Sequence, residues 1–407
     1  LGYFRASDDA RVEDYDSAAG KFMINSSLSQ ANEREQFSYT PSVMLGKSFN
    51  RSDEGAWKSL HIQFRVLNDF QSERNRSTQA KRNLDRSFQF FRFEGNLGMQ
   101  HHIQNRYQYH LGLNYGKSYD YPEVDQLFTL VDDINVYDIR VGNPRLRNIV
   151  HHRMNLNAGF NTQNPNSLYV WNGGIGGSYN RSLHPVTDSV INDPSGKRTA
   201  YLVNADRSRT LGLNVNMNIS RRFRKNNLQL MYNVMHQSGT VPNYLDGLYN
   251  TSETVNTFHQ VTLQFSLKSL LVLKLEQSIQ QFRAKQQAAG LRSFTNHTNS
   301  TKLGVVLNHP ERLSFSSTVD LVDNAAAGKP FVLWNAFASY RFLKQQGELK
   351  ASAMDVLKQY RNISAGADAF GTTTQITNGL QQYFLLTFAY YPRRFGKTEL
   401  RRREPAY

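Results

Sequence analysis

The chain of 407 residues has no cysteine, which removes disulfides, thiol nucleophiles and thiolate metal sites together. No stretch approaches the roughly 18 consecutive apolar residues that a membrane-crossing helix needs. Short catalytic motifs are missing too: there is no HExxH, no GxSxG, no phosphate-cradling GxxxxGK followed by Ser or Thr, and no GxGxxG opening a helix. No catalytic residue, metal ligand or cofactor is therefore assigned, and the chain is not expected to be an enzyme. The opening "LGYFRASDD" carries no initiator methionine and no apolar signal core, as expected of a processed or truncated piece of something longer.

What the chain does have is alternation. In "TLGLNVNMNIS" (210–220), Leu211, Leu213, Val215, Met217 and Ile219 fall on one parity, and Gly212, Asn214, Asn216 and Asn218 on the other. A period of two means an extended strand with one apolar and one wet face. The same parity places Tyr107, Tyr109, Leu111, Leu113 and Tyr115 opposite Gln108, His110, Gly112 and Asn114. Sixteen such segments are predicted: 20–27, 36–48, 57–70, 87–101, 106–116, 150–162, 167–181, 208–221, 227–238, 256–267, 271–283, 298–308, 313–322, 331–343, 348–356 and 377–391. Most exceed the five or six residues of a soluble strand and suit a tilted bilayer crossing.

The links between them alternate in length. Short ones (49–56, 102–105, 163–166, 222–226, 268–270, 309–312 and 344–347) are interleaved with long ones (71–86, 117–149, 182–207, 239–255, 284–297, 323–330 and 357–376). Short turns at one rim and long loops at the other are the pattern of an outer-membrane barrel. The expected fold is all-β, an antiparallel up-and-down transmembrane β-barrel. The 46 Tyr and Phe residues, against three Trp, fit its aromatic girdles. Lys and Arg exceed Asp and Glu by 15, but the surplus is spread out. Its local concentrations, "RRFRK" (221–225) and "RRR" (401–403), read as a solvated turn and a basic tail rather than a nucleic-acid site.

The segment 119–148 resembles the barrel of TonB-dependent outer-membrane receptors, in particular the outer-membrane β-barrel family common in Bacteroidota. Pro122, Gln126 and Leu127 match a Pro-Gln-Leu element, and Gly142, Asn143, Pro144 and Leu146 match the Gly-Asn-Pro-x-Leu element that follows it. Arg147, Asn148 and Ile149 depart from the Lys-Pro-Glu-like continuation frequent in the family. "ASAMDVLKQYRNIS" (351–364), with Asp355, Leu357 and Gln359, is similar to the family's late strand exit, and 381–397 to its closing aromatic strand. The resemblance implies nutrient import (a siderophore, corrinoid, glycan or peptide) across the outer membrane of a Gram-negative bacterium. It implies an upstream plug pulled by the inner-membrane TonB complex, possible company of a surface lipoprotein, and contact with outer-membrane lipid and lipopolysaccharide. Barrels of that kind have 22 strands, so residues 1–391 would be the C-terminal portion of a larger barrel, with 392–407 a basic periplasmic tail. A passive porin and a soluble secreted β-rich binding protein are the alternatives.

Leu211, Leu213, Val215, Met217 and Ile219, and on the closing strand Phe384, Leu386, Phe388 and Tyr390, are expected to face lipid. In the long loop 117–149, Tyr119, Tyr121, Phe128 and Tyr137 are candidate contacts for a sugar or a flat chelate, with interface anchoring as the rival reading. Asp132 and Asp133 read as a solvated acidic stretch, and Gly142-Asn143-Pro144 as a turn that shapes the loop. "GGIGGSYN" (173–180) is expected to serve close packing or a strand kink. His101-His102 and His151-His152 are adjacent strand residues, so each pair should split between the two faces.

Overall fold

The structure, a computed structural model, describes residues 2–25, 29–128, 137–287, 293–309, 312–367, 372–377 and 381–392. Its wall begins with β1 (Gly2–Ala10), a small hairpin of β2 (Glu13–Asp16) and β3 (Lys21–Ile24), then β4 (Gln30–Tyr39), β5 (Ser42–Asp53), β6 (Ala56–Ser77), β7 (Leu84–Ile103) and β8 (Tyr107–Asp120). A long connection holding α1 (Val124–Leu127) and β9 (Asp138–Val141) leads to β10 (Ile149–Thr162) and β11 (Tyr169–Leu183). A second holds β12 (Val186–Asn192) and β13 (Arg198–Asn204). There follow β14 (Arg207–Phe223), β15 (Asn226–Leu245), β16 (Leu248–Leu267), β17 (Leu271–Gln286), β18 (Phe294–His309), β19 (Leu313–Asn324), β20 (Phe331–Phe342) and β21 (Gly347–Met354). A hairpin of β22 (Asn362–Ala367) and β23 (Thr372–Thr377) precedes the closing β24 (Tyr383–Tyr390).

Each wall strand pairs antiparallel with the next. The register carries one apolar row across eight of them: Trp171, Ile219, Leu230, Leu263, Leu275, Leu303, Val319 and Trp334. On the opposite face Asn216, Asn233, Gln260, Ser278 and Ser300 form a polar row. A one-residue slip anywhere would exchange the rows, so the sequence pattern pins the register. The apolar face, expected to be the one toward lipid, exposes Leu211, Leu213 and Met217, and Val215 and Ile219 share its parity.

Two features of the wall follow from single residues. β4 and β5 are one wall strand interrupted at Thr40–Pro41, where proline cannot donate to the ladder, and β6 spans both halves. β15 and β16 meet at Asp246-Gly247, with φ of 49° and 79°. Positive φ at both central residues makes a tight hairpin whose twist suits long strands.

Several expected boundaries shift accordingly. Segment 20–27 is no wall strand but the short β2–β3 hairpin region, and the wall strand at that end is β1. The links 71–86 and 239–255 contract to 78–83 and 246–247, because the flanking strands run on. Segment 377–391 is shorter, with β24 starting only at Tyr383. The strict alternation breaks at 246–247, which is no longer than the turn 224–225 at the other rim, but the longest links, 11–29, 121–148, 184–206 and 355–382, all fall at one end.

The sheet has two exposed ends. All twelve residues of β5 are exposed, as are Phe384, Leu386, Phe388 and Tyr390 on β24. β24 follows β21 and precedes β4 in the order of the sheet, but among the described residues no residue ladder joins β24 to β4, β5 or β1.

Candidate functional site

β6 has 22 residues and β7 has 20. At about 3.3 Å per residue they outrun the ten or so residues needed to cross a bilayer at a tilt. The excess stands at the loop end, and there the inner face carries a dense polar cluster. Glu73 is directly opposite Arg86 in the ladder, and its carboxylate lies 2.5 Å from both Arg34 and Arg86, with no exposure of its own side chain. A buried carboxylate needs such partners to offset its lost hydration.

The loop after β8 is laid on this cluster. Arg86 also donates to the Pro122 carbonyl at 2.5 Å and lies 4.9 Å from the centre of the Tyr121 ring. Tyr119, Phe90, Phe88 and Tyr121 stack in one ladder, with centroid spacings of 4.6, 5.6 and 5.0 Å. The Tyr121 hydroxyl accepts from Gln36 and, at 2.9 Å, from Gln71. Burial, and then the nearby Glu73 charge, push its phenol above the usual tyrosine value. Arg82, nearly inaccessible, donates to the Phe128 carbonyl and pairs with Asp125.

The family-like residues form the next layer. Glu123 and Gln126 cap α1 reciprocally, and Val124 and Leu127 are buried. Asn143 then ties three pieces together: its N–H donates to the Gln126 carbonyl at 2.9 Å, its side-chain amide donates to the Leu202 carbonyl at 3.0 Å, and its side-chain oxygen accepts from the Arg145 N–H at 2.9 Å. Gly142 ends the approach from β9, and Pro144 and Leu146 lie in the turn after it, where the Leu146 N–H returns to the Asn143 carbonyl at 3.2 Å. β9 pairs parallel with β13, and β12 pairs parallel with the end of β15. Val190, Ala200, Leu202 and Ala205 of this second loop are buried, so the long loops pack as one cap rather than as separate strands of chain.

Of the candidate ligand rings, the structure brings Tyr119 and Tyr121 together and engages the Phe128 carbonyl, while Tyr137, whose carbonyl accepts from the Arg198 N–H at 2.7 Å, is 63% exposed. Asp132 and Asp133 lie outside the described residues. His101 bonds the Tyr109 hydroxyl while His102 stacks on Trp57, and His151 bonds Ser182 and Asp120 while His152 bonds Tyr115. In "GGIGGSYN", a Cβ at Gly173 would lie 2.9 Å from the backbone carbonyl oxygen of Asn216 on the neighbouring strand, so glycine permits the close approach there.

Asp355 is buried in the turn after β21, accepting from the N–H groups of Gln359 and Tyr360 at 3.0 Å each. Arg34, Glu73, Arg82 and Arg86 were not legible as a site, since 71–86 reads as a loop. The available signal was the charge complementarity around 78–83: Glu73 mirrors Arg86 and Arg74 mirrors Asp85.

Comparison with known proteins gives a family. Residues 71–390 match the family model described as the outer membrane protein beta-barrel family. No curated protein matches the sequence. Among solved structures, FpvA of P. aeruginosa, determined with bound pyoverdines, is 8% identical over 88% of this chain and 63% of its own, with a TM-score of 0.30. The outer membrane transporter YddB from Escherichia coli is 6% identical over 86% of this chain and 59% of its own, at 0.27. The toluene transporter TodX from Pseudomonas putida is 10% identical over 82% and 85%, at 0.25. This chain thus spans less than two thirds of the length of FpvA and YddB, and scores so low add no weight. With the family match covering most of the ladder of paired strands, the chain belongs to the outer membrane protein beta-barrel family and resides in the outer membrane of a Gram-negative bacterium.

Proposed function

We propose that the chain is the C-terminal portion of a TonB-dependent transporter barrel that imports a nutrient, with the plug and further strands contributed by preceding polypeptide. The observation that carries this reading is the pair of exposed sheet ends. At one end β5 exposes all twelve of its residues and β1, beside β4, eight of its nine, and at the other β24 exposes seven of its eight; among the described residues no ladder pairs their outer edges. An open strand edge in lipid would leave its backbone groups without partners, so a barrel must close. Closure through additional strands gives a barrel wider than sixteen, the size class that holds a plug. The family-like residues Pro122, Gln126, Leu127, Gly142, Asn143, Pro144, Leu146 and Asp355 support the same reading as the framework of the cap and of the turn after β21.

In this reading the row from Leu211 to Ile219 and the residues Phe384, Leu386, Phe388 and Tyr390 meet lipid, and the basic tail 392–407, which beyond residue 392 lies outside the described residues, is periplasmic. Tyr137, with its ring exposed, is the first of the four aromatic candidates to test as a ligand contact, and a surface lipoprotein over the cap is a fitting partner. A passive porin is the second reading. It is favoured by the segment 121–128, which is folded onto the inner face at the mouth as a constriction would be.

Planar-bilayer recording on the native outer-membrane product separates the two. A plugged transporter stays closed until mild denaturant loosens the plug, and a steady open conductance would overturn the import reading. Because the chain has no cysteine, engineered pairs report closure cleanly. A cysteine pair at Ala351 and Leu386, opposite one another on β21 and β24, should cross-link as the control. Cross-links formed equally well between β1 and β24 would mean a barrel closed on itself and would end the larger-barrel reading.

A further inference from the structure

We propose that a cleft at the loop end, between the β19–β20 connection and the turn after β21, is a binding site for a phosphate group. The cleft has a volume of about 410 Å³ and is lined by Lys329, Lys358, Gln359, Tyr360, Arg361 and Gln381 beside the apolar Pro330 and Phe331. Three cationic side chains thus share one small space, and among the described residues no carboxylate lines it. Neither Lys329, Lys358 nor Arg361 forms an ion pair among those residues, unlike the charges of the inner-wall clusters. Like charges held together repel unless an anion sits between them.

The fold fixes the backbone that carries Lys358 and the guanidinium of Arg361. Lys358 adopts a φ of 53°, in the left-handed region, which costs a side-chain-bearing residue energy unless its surroundings enforce it. The enforcement comes from Asp355: its carbonyl accepts from the Lys358 N–H at 2.8 Å and its carboxylate from the next two N–H groups at 3.0 Å. Gln359 accepts from the Val332 N–H at 2.9 Å, which docks the turn on β20. Arg361 is fixed through one guanidinium nitrogen to the Ala327 carbonyl at 3.2 Å, leaving its other donors for a ligand. The family-like aspartate thereby acquires a role: it positions a lysine and an arginine beside Lys329.

Several converging cations with amide and hydroxyl neighbours match a doubly charged group with three acceptor oxygens better than a single carboxylate. The cleft lies where β20 and β24 begin, taking in Phe331, the first residue of β20, and Gln381, just before β24. That is the level of the outer-leaflet headgroups, so the phosphate can belong to a membrane glycolipid or to a soluble ligand. The proposal rests on the outer-membrane placement and is independent of energised import.

The test compares the native full-length protein with the triple variant Lys329→Gln, Lys358→Gln, Arg361→Gln, both checked for folding by heat-modifiable migration. One arm measures retention of bis-phosphorylated lipid A against dephosphorylated lipid A by native mass spectrometry. The other measures pyrophosphate binding by calorimetry. The expected result is a loss of about tenfold or more in affinity in at least one arm, with a glycolipid source giving the first and a soluble source the second. A control variant, Arg221→Gln, Arg222→Gln, Arg224→Gln, on a turn at the opposite rim removes the same charge and should bind as the native protein does. Equal binding by native protein and cleft variant in both arms would overturn the proposal. So would an equal loss in the control, which would reduce the effect to net charge. If the cleft variant does not fold, Lys329→Gln alone is used, with a smaller loss of binding expected and no loss counting against the site.

Discussion

Two charge clusters on the inner face of the same sheet differ in what covers them. At the loop end Glu73 is shut off from water between Arg34 and Arg86, beneath the segment that carries Tyr121 and Pro122. Further round the wall, Glu276 lies 2.6 Å from Lys274 and 3.9 Å from Lys302, and both lysines keep about 40% exposure. The residue types are alike, and so is the strand parity. The difference is the loop: covered, a cluster becomes a fixed anchor, and uncovered, it stays a hydrated lining whose pairs contribute little.

The largest effect that would break this comparison is at Glu73. Glu73→Ala strands two arginines under the loop and should cost about 3–5 kcal/mol, read as a lowered midpoint of unfolding from detergent. Glu276→Ala should cost under about 1 kcal/mol. Equal costs would mean that the loop does not seal the first cluster. Next in size comes the contrast of faces within β14. Val215→Arg should cost about 2–4 kcal/mol if that face meets lipid, and Asn214→Arg, on the polar face, much less. Equal losses from the two would refute the assignment of faces.

The smallest effect is at Tyr121. Tyr121→Phe removes an acceptor from Gln36 and Gln71 and should cost about 1 kcal/mol. Its pH dependence has a definite sign. Because burial raises the phenol above its ordinary 10, the folded state holds the proton more tightly than the unfolded chain does. Its contribution is then complete below the unfolded value and is lost as the pH rises through the folded one. Phenolate absorbance should show one tyrosine titrating late, and the late component should vanish in Tyr121→Phe. A late component that persists in the variant would place it on another ring.

The wall was legible in the sequence because strand parity is a local property. Leu211 through Ile219 announce their face without reference to any partner, and the row from Trp171 to Trp334 follows once such strands are paired. Errors arose where locality fails. Asp246-Gly247 is a two-residue hairpin inside what reads as a seventeen-residue loop, because polar strands above the membrane lose the alternation that marks them. The family-like residues could be recognised, but their purpose could not. That Asn143 bonds both Gln126 and Leu202, or that Asp355 sets Lys358 and Arg361 beside Lys329, depends on contacts 17 to 59 residues apart in the chain.

The sequence by itself determined that this is an all-β chain with one greasy and one wet face, built for a membrane without helices and without thiol chemistry. Composition and period two suffice for that, since side-chain direction in a strand alternates whatever the partner. Only the tertiary structure decided which charges are buried, which loops combine into a cap, and where three cations converge. Those outcomes depend on strand register and loop docking, and the free energy of a charge is set by what surrounds it in space rather than by its neighbours along the chain.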